Sequence, residues 1–180
     1  MKENKDTEIL NLLKINIEVG FKELVNIYKK DVYRHIRRMV IDHDDADDLT
    51  QETFIKVWLN INKFKGESKL YTWIYQIATN ETLNFLKKKK KFSFFSVNNE
   101  ELDLLNKLHA PENFRGDFIE KKLNEAIIKL PDKQRLVFNM KYFEDFSYEQ
   151  MSKILNTSEG ALKASYHHAV KKIEKYVSDN

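Results

Sequence analysis

Hydrophobic residues recur at steps of three and four along most of this chain, a spacing that places them on one face of an α-helix. Over residues 8–41 this pattern predicts a helix, and a second helix begins within "IDHDDADD" and ends near Asn62. Acids crowd the first turn of that second helix, where the helix dipole favours negative charge. A third helix is predicted over about 70–91. No alternation with a period of two extends beyond a few residues, so no strand is expected.

Residues 92–116 lose the helical spacing and contain a proline and a glycine. We interpret this segment as a linker with one short helical piece near 100–108. An all-α fold is therefore predicted, with two small helical domains, 1–91 and 117–180, joined by the linker.

Local capping signals divide the second domain into short helices. Asp132 is expected to cap one helix, and Ser147 with Gln150 has the spacing of a capping box that starts the next. Asn156 can adopt a left-handed turn conformation and Thr157 can cap a last helix. A helix, a tight turn and a second helix are typical of the helix-turn-helix, whose second helix enters the DNA major groove.

The last helix has two faces of different character. Leu162 and Ile173 belong to its inward face, whereas small and cationic residues occupy the opposite face. Those outward residues, Lys163, Ala164, His167 and Lys171, suit close approach to DNA and contact with its phosphates. An αα-hairpin with a solvated outer face would produce the same pattern. A metal site at the adjacent histidines 167 and 168 is not expected, because neighbours on a helix diverge by roughly 100°.

An acidic ridge is predicted in "DDADDLTQETFIKVW", where Asp48, Gln51, Glu52 and Ile55 share one helix face. A calcium loop of the EF-hand type is not expected because the stretch lacks the required glycine. A solvated face and a contact surface for another helix both remain open. A polyanion such as DNA is a poor partner for such a ridge.

Aromatic residues alternate with lysines in "NKFKGESKLYTWIYQIATNETLNFLKKKKK", a composition that suits unpaired bases stacked beside phosphate contacts. Trp73, Ile74 and Ile77 are predicted to belong to the core. A polar stripe that can hydrogen-bond base edges is predicted at Thr72, Gln76, Thr79, Asn80 and Lys87.

Composition narrows the classes of function. The chain has no cysteine, which excludes disulfides, thiolate metal sites and thiol catalysis. It has no glycine-rich phosphate loop and no Ser/His/Asp group, so neither an enzyme nor a cofactor nor a small-molecule substrate is expected. No apolar run approaches the roughly 20 residues of a membrane span, and the N-terminus lacks a secretory signal. A cytoplasmic location is therefore expected.

Charge is distributed unevenly along the chain. The net charge is +4 over residues 1–92, −2 over 93–116 and +1 over 117–180. Two basic blocks around an acidic connector suit two modules on one polyanion, although ordinary solvated helix faces would give similar excesses.

Taken together, three stretches resemble the extracytoplasmic-function (ECF) sigma factors of bacterial RNA polymerase, in the sigma-70 superfamily. "DADDLTQETFIKVW" resembles region 2.2, and "FKGESKLYTWIYQIATNETLNFLKKKKK" resembles regions 2.3 and 2.4. The stretch that starts "LPDKQRLVFNMKYFEDFSYEQ" resembles region 4. The resemblance covers about residues 20–92 and 115–177, with a connector between them as in the family.

The resemblance implies an alternative sigma factor that binds core RNA polymerase, recognises promoters, melts the −10 element and so initiates transcription. It places contacts to the β′ clamp helices at Asp48, Gln51, Glu52 and Ile55. It places −10 contacts at Lys63, Phe64, Lys65, Lys69, Gln76, Asn80 and Lys87, with residues 64–70 forming the loop that holds a flipped non-template base. It places −35 contacts at Ser158, Lys163, Ala164, His167, His168 and Lys171.

The implied partners are core polymerase, through its β′ clamp helices and β flap, promoter DNA, and a membrane-anchored anti-sigma factor. Lys163 can read guanine or hold a phosphate, and we favour base reading. The family often has Ser where this chain has Ala164 and Arg where it has Ser165 and His168, which leaves the −35 sequence open. Two other functions stay open: a helix-turn-helix regulator that acts without polymerase, and a protein-binding helical adaptor with no salt-sensitive affinity for DNA.

Overall fold

A computed structural model describes residues 2–66, 68–95 and 118–179 of the chain. Within these ranges every regular element is helical, which confirms the predicted all-α class. The helices before the undescribed segment are α1 (Lys2–Ile15), α2 (Ile17–Val40), α3 (His43–Asn60), a 3₁₀ turn (Ile61–Lys63) and α4 (Leu70–Phe95). Those after it are α5 (Phe118–Ile128), α6 (Asp132–Tyr142), α7 (Tyr148–Leu155) and α8 (Glu159–Asp179).

The chain divides into two compact units, Met1–Thr82 and Leu83–Asn180. The predicted helical piece at 100–108 and most of the predicted linker lie outside the described residues. The predicted domain limits, with a linker over 92–116, stay a prediction.

The helix predicted over 8–41 is wrong in one respect, because the structure breaks it at Asn16. The extended Asn16 caps α2, and its Oδ1 accepts hydrogen bonds from the backbone N–H groups of Glu18 (3.0 Å) and Val19 (3.1 Å). The two helices then pack against each other at Gly20 of α2, where a Cβ atom would lie only 2.4 Å from the backbone nitrogen of Leu13 in α1. This close approach requires a glycine.

Buried polar contacts join the helices of the first unit. The Tyr28 hydroxyl of α2 donates a hydrogen bond to the Asp6 carboxylate of α1, and burial raises the pKa of Tyr28 above its ordinary range. His35 of α2 is fully buried, with its Nε2 3.0 Å from Thr79 Oγ1 of α4 and its ring edge-on to Tyr75. These contacts fix which faces of α2 and α4 turn inward.

The second unit has its own core, formed by α5, the turn after it, α6 and α8: Ala126, Ile127, Leu130, Phe138, Ala169 and Ile173. The predicted cap at Asp132 is wrong, because Pro131 occupies the N-cap position and makes no side-chain cap. Asp132 is instead the first helical residue, and its Oδ1 accepts a hydrogen bond from Arg135 Nη2 at 3.3 Å. Burial lowers the pKa of Arg135, and the Asp132 charge opposes that shift.

Candidate functional site

The acidic ridge of α3 lies on a solvent-exposed face. Its helix begins at the N-cap Asp42, whose Oδ1 accepts hydrogen bonds from the backbone N–H groups of Asp44 (3.0 Å) and Asp45 (3.2 Å). Thr50 and Thr53 are buried on the opposite side, and each hydroxyl donates to the backbone carbonyl four residues earlier at 2.7 Å. The predicted ridge residues, Asp48, Gln51, Glu52 and Ile55, are all exposed.

The ridge also has an aliphatic part that the sequence interpretation missed. Ile55 is 58% exposed and Leu59 is 67% exposed. Leu59 follows Ile55 by four residues, so helical spacing could have placed it on the same face. Exposed aliphatic groups beside carboxylates suit a protein partner better than a nucleic acid.

The segment after α3 places basic and aromatic residues near the start of α4. Lys63 Nζ donates a hydrogen bond to Asn60 Oδ1 at 3.3 Å, and the half-buried Phe64 ring packs 5.2 Å from the Trp73 ring between centroids. Gly66 has a φ of +74°, a conformation that favours glycine. Lys65 and Lys69 are exposed on either side of it.

A concavity of about 290 Å³ lies between the end of α3 and the middle of α4. It is lined by Lys56, Asn60, Lys63, Trp73, Ile77, Asn80 and Glu81. Lys56 and Glu81 form an ion pair there. The volume is just below the range of about 300–1,000 Å³ typical of small-ligand sites.

Only part of the predicted −10 set meets at this concavity. Lys63 and Asn80 line it, while Phe64 packs on the lining ring of Trp73. The other predicted residues, Lys65, Lys69, Gln76 and Lys87, are not among the lining residues that the structure describes. Lys56, Asn60 and Glu81 were not predicted from the sequence. Two signals could have found them: Lys56 and Asn60 are one helical turn apart on the same helix face, and Glu81 directly follows the predicted Asn80.

The polar stripe predicted on α4 is wrong at two of its members. Thr72 and Thr79 are buried, and Thr79 is engaged by His35. Gln76 is half-buried, whereas Asn80 and Lys87 are exposed. Ile74 is fully buried as predicted, but Trp73 and Ile77 are half-buried and border the concavity instead of filling the core.

The helix-turn-helix geometry is present in α7 and α8. The capping box at the start of α7 is confirmed, with Ser147 N–H donating to Gln150 Oε1 (2.8 Å) and Gln150 N–H donating to Ser147 Oγ (3.1 Å). Asn156 ends α7 in the left-handed conformation, as predicted. The predicted cap at Thr157 is wrong: its hydroxyl donates to Leu155 O, and Ser158 Oγ accepts from Ala161 N–H at 3.3 Å at the start of α8.

The outer face of α8 exposes the residues that were predicted to contact the −35 element. Leu162 and Ile173 are buried in the unit, while the predicted residues Ser158, Lys163, Ala164, His167, His168 and Lys171 are all exposed. Gly160 has open space around its Cβ position. A helix with small residues at its start and cations along its outside can approach a DNA groove closely.

Aromatic rings form a second exposed surface in this unit, which the sequence interpretation missed. Phe138 stacks with Tyr142 and Tyr166, at 5.2 and 5.8 Å between ring centroids. Phe143 meets Tyr142 edge-on at 4.9 Å. Tyr142 is 56% exposed and Phe143 39% exposed, an apolar patch that suits a protein contact.

Two family models match the chain. The model of sigma-70 region 2 matches residues 24–92, and that of sigma-70 region 4 matches residues 120–173. The ECF RNA polymerase sigma factor SigW of Bacillus subtilis is 31% identical over 168 residues, which cover 89% of this chain and 90% of SigW. The chain belongs to the ECF sigma factors. The ECF RNA polymerase sigma-E factor of Haemophilus influenzae is 29% identical over 86% of each chain.

Two solved structures share the fold. CnrH, solved in complex with the cytosolic domain of CnrY, superposes with a TM-score of 0.71 and 16% identity over 97% of this chain and 98% of its own. The sigma factor RpoE of Bartonella quintana, solved with the anti-sigma factor NepR, gives a TM-score of 0.66 and 21% identity over 88% and 96%.

The part of the chain that matches sigma-70 region 2 contains the α3 ridge and the concavity, whereas α1 lies before that part. The region 4 match contains α7 and most of α8. Sigma factors are transcription initiation factors and not enzymes. Among the described helices, none is long and apolar enough to cross a membrane.

Proposed function

We propose that this sigma factor docks on core RNA polymerase through α3, captures a melted −10 base beside α4 and grips the −35 duplex with α8. The observation that carries the proposal is the exposed face of α3. Its carboxylates at positions 48 and 52 would be repelled by DNA phosphates, while Ile55 and Leu59 offer apolar area to a protein. The β′ clamp helices of polymerase are the proposed partner.

The concavity beside α4 supports capture of a base. Trp73 offers a ring on which an extruded base can stack, and Asn80 offers an amide group that can donate to or accept from the edge of that base. Lys63 and the exposed Lys65 and Lys69 are placed to hold neighbouring phosphates. Such capture offsets the few kcal/mol that unstacking and unpairing a base costs.

The exposed aromatic patch at Tyr142 and Phe143 is the proposed contact for the β flap. CnrH was solved with the cytosolic domain of CnrY, and RpoE was solved with the anti-sigma factor NepR. We propose that a membrane-anchored anti-sigma factor likewise binds this chain in the cytoplasm. Co-purification of a membrane protein that competes with core polymerase for the chain supports this regulation, and retention of full core binding in its presence contradicts it.

Run-off transcription with purified core polymerase and a genomic promoter pool tests the function. Transcripts are expected only when this chain is added to the core enzyme. A regulator that acts without polymerase would instead bind promoter DNA alone and add no transcripts to core enzyme.

The α3 assignment has its own test. Asp48→Arg should weaken binding to core enzyme by at least roughly tenfold, because removing a charge-assisted contact costs about 1.5–3 kcal/mol. Competition with wild type for core polymerase measures this loss. Glu8→Arg, the same charge reversal at an exposed site on α1, should bind like wild type. Equal affinity of Asp48→Arg and Glu8→Arg rejects the α3 contact.

A further inference from the structure

Two lysines from different helices surround one tyrosine at the start of α7. Lys141 of α6 has its ammonium 5.7 Å from the centroid of the Tyr148 ring. Lys163 of α8 has its ammonium 5.5 Å from the same centroid. Both distances are within the range of about 6 Å at which a cation is attracted to an aromatic ring. Three elements of the second unit thus bring two positive charges and a phenol to one place.

The protein itself holds these groups in position. Lys141 is half-buried, and its ammonium also donates to the backbone carbonyl of Phe146 at 3.3 Å. Tyr148 is half-buried, and burial raises its pKa, with the neighbouring Tyr166 adding to the shift. A tyrosine hydroxyl is ordinarily protonated at neutral pH, so Tyr148 can act as a hydrogen-bond donor.

The carboxylate next to Lys163 forms only a weak ion pair and does not neutralise the two lysines around Tyr148. The Glu159 carboxylate lies 3.7 Å from the Lys163 ammonium, and both side chains are about half exposed. An exposed pair at this helical spacing contributes little to stability. A stronger anion can displace it.

We propose that Lys141, Tyr148 and Lys163 form a binding site for one phosphodiester group of the −35 duplex. The site rests on the proposed function, because α8 must lie in the DNA groove for a phosphate to reach it. In a helix-turn-helix the first helix crosses the DNA backbone, and Tyr148 is the first residue of that helix here. A duplex phosphate is thus the anion available at this position.

A phosphate bound at this site gives Lys163 a different role from the predicted one. The sequence favoured base reading, but its ammonium lies with Lys141 around Tyr148, on the α7 side of the recognition helix. A phosphate contact positions the protein on DNA without reading sequence. Sequence preference at the −35 element then depends on Ala164, His167 and their neighbours.

The test measures binding of the full chain, assembled with core polymerase, to labelled duplexes with the preferred −35 element and with single-base changes in it. The variants are Lys141→Gln, Tyr148→Phe and Lys163→Gln. Lys153→Gln is the matched control, since Lys153 is an exposed lysine of α7 that pairs with Glu149 at 2.7 Å. Affinities are measured over a series of salt concentrations.

Each lysine variant should weaken all duplexes by the same factor and make the slope of log affinity against log salt less negative by about one. Tyr148→Phe keeps the ring and should lower affinity several-fold with an unchanged order of sequence preference. Lys153→Gln should match wild type. If Lys141→Gln and Tyr148→Phe bind like the control, the phosphate site is wrong, and if Lys163→Gln relaxes preference at one base, Lys163 is a base reader. If even the wild-type assembly shows no −35 preference, the proposed function of α8 fails instead.

Discussion

The surface of the first unit that we propose to bind nucleic acid is concave, whereas the surface proposed for the second unit is convex. Beside α4, Trp73, Ile77 and Asn80 line a concavity of about 290 Å³. On α8, Gly160 and Ala164 leave the outer face of the helix low, with His167 and Lys171 exposed beyond them. We propose that the concavity holds a single base, whereas α8, whose outer side chains are small near its start, lies in the major groove.

This difference in shape predicts a difference in the state of the DNA that each unit binds. A base can enter the concavity only after it has left the duplex, so under our proposal the first unit gains binding energy from melted DNA. A recognition helix needs the paired major groove, so under the same proposal the second unit gains its binding energy from intact duplex. Substitutions beside α4 should therefore weaken binding to melted DNA, whereas substitutions on α8 should weaken binding to intact duplex.

Removal of the Trp73 ring should have the largest effect on transcription. Trp73→Ala removes the stacking surface and should weaken open-complex formation on duplex promoters by about 1–3 kcal/mol, or roughly 5- to 150-fold. Trp73→Phe keeps a ring and should retain most activity. The check is transcription from a pre-opened template with an abasic site at the captured base, where Trp73→Ala and wild type should be equal. A loss as large there as on duplex promoters would show that Trp73 serves the fold and not base capture.

A change at a base-reading position of α8 should have a narrower effect. His167→Ala should cost about 1–3 kcal/mol at the preferred base pair only and relax preference at one −35 position. Selection of a −35 library with wild type and variant measures this. A uniform loss over all −35 sequences would instead assign His167 to the DNA backbone.

The smallest effect is expected from a single exposed phosphate contact. Lys171→Gln should lower −35 affinity a few-fold for every sequence and lower the salt slope by about one. Lys172→Gln is the matched control, because its side chain is exposed but points about 100° away around the helix. Identical salt slopes for the two variants would show that Lys171 does not contact a DNA phosphate.

Helical periodicity predicted most of the elements, because each helix buries one apolar face against its neighbours. It missed the break at Asn16, since a single non-helical residue barely disturbs the spacing of three and four. Only the capping chemistry of Asn16 marks the start of α2. The helix-turn-helix was predictable in more detail because its turn depends on local signals, and Ser147, Gln150 and Asn156 behave as those signals predict.

The candidate sites were predictable only where one helix carries them. The outer faces of α3 and α8 follow from spacing alone. The concavity does not, because Lys56 and Asn60 come from α3 whereas Trp73 and Asn80 come from α4. The predicted polar stripe failed for a similar reason: the partner that buries Thr79 is His35, on a helix distant in sequence.

Asn80 offers the most direct test of base capture by the first unit. Wild type and Asn80→Ala are compared in transcription from promoters that carry the preferred −10 base and an altered one. Asn80 lines the concavity, so Asn80→Ala should lower activity strongly on the preferred base and little on the altered base. Equal losses on the two promoters would contradict base reading at this site.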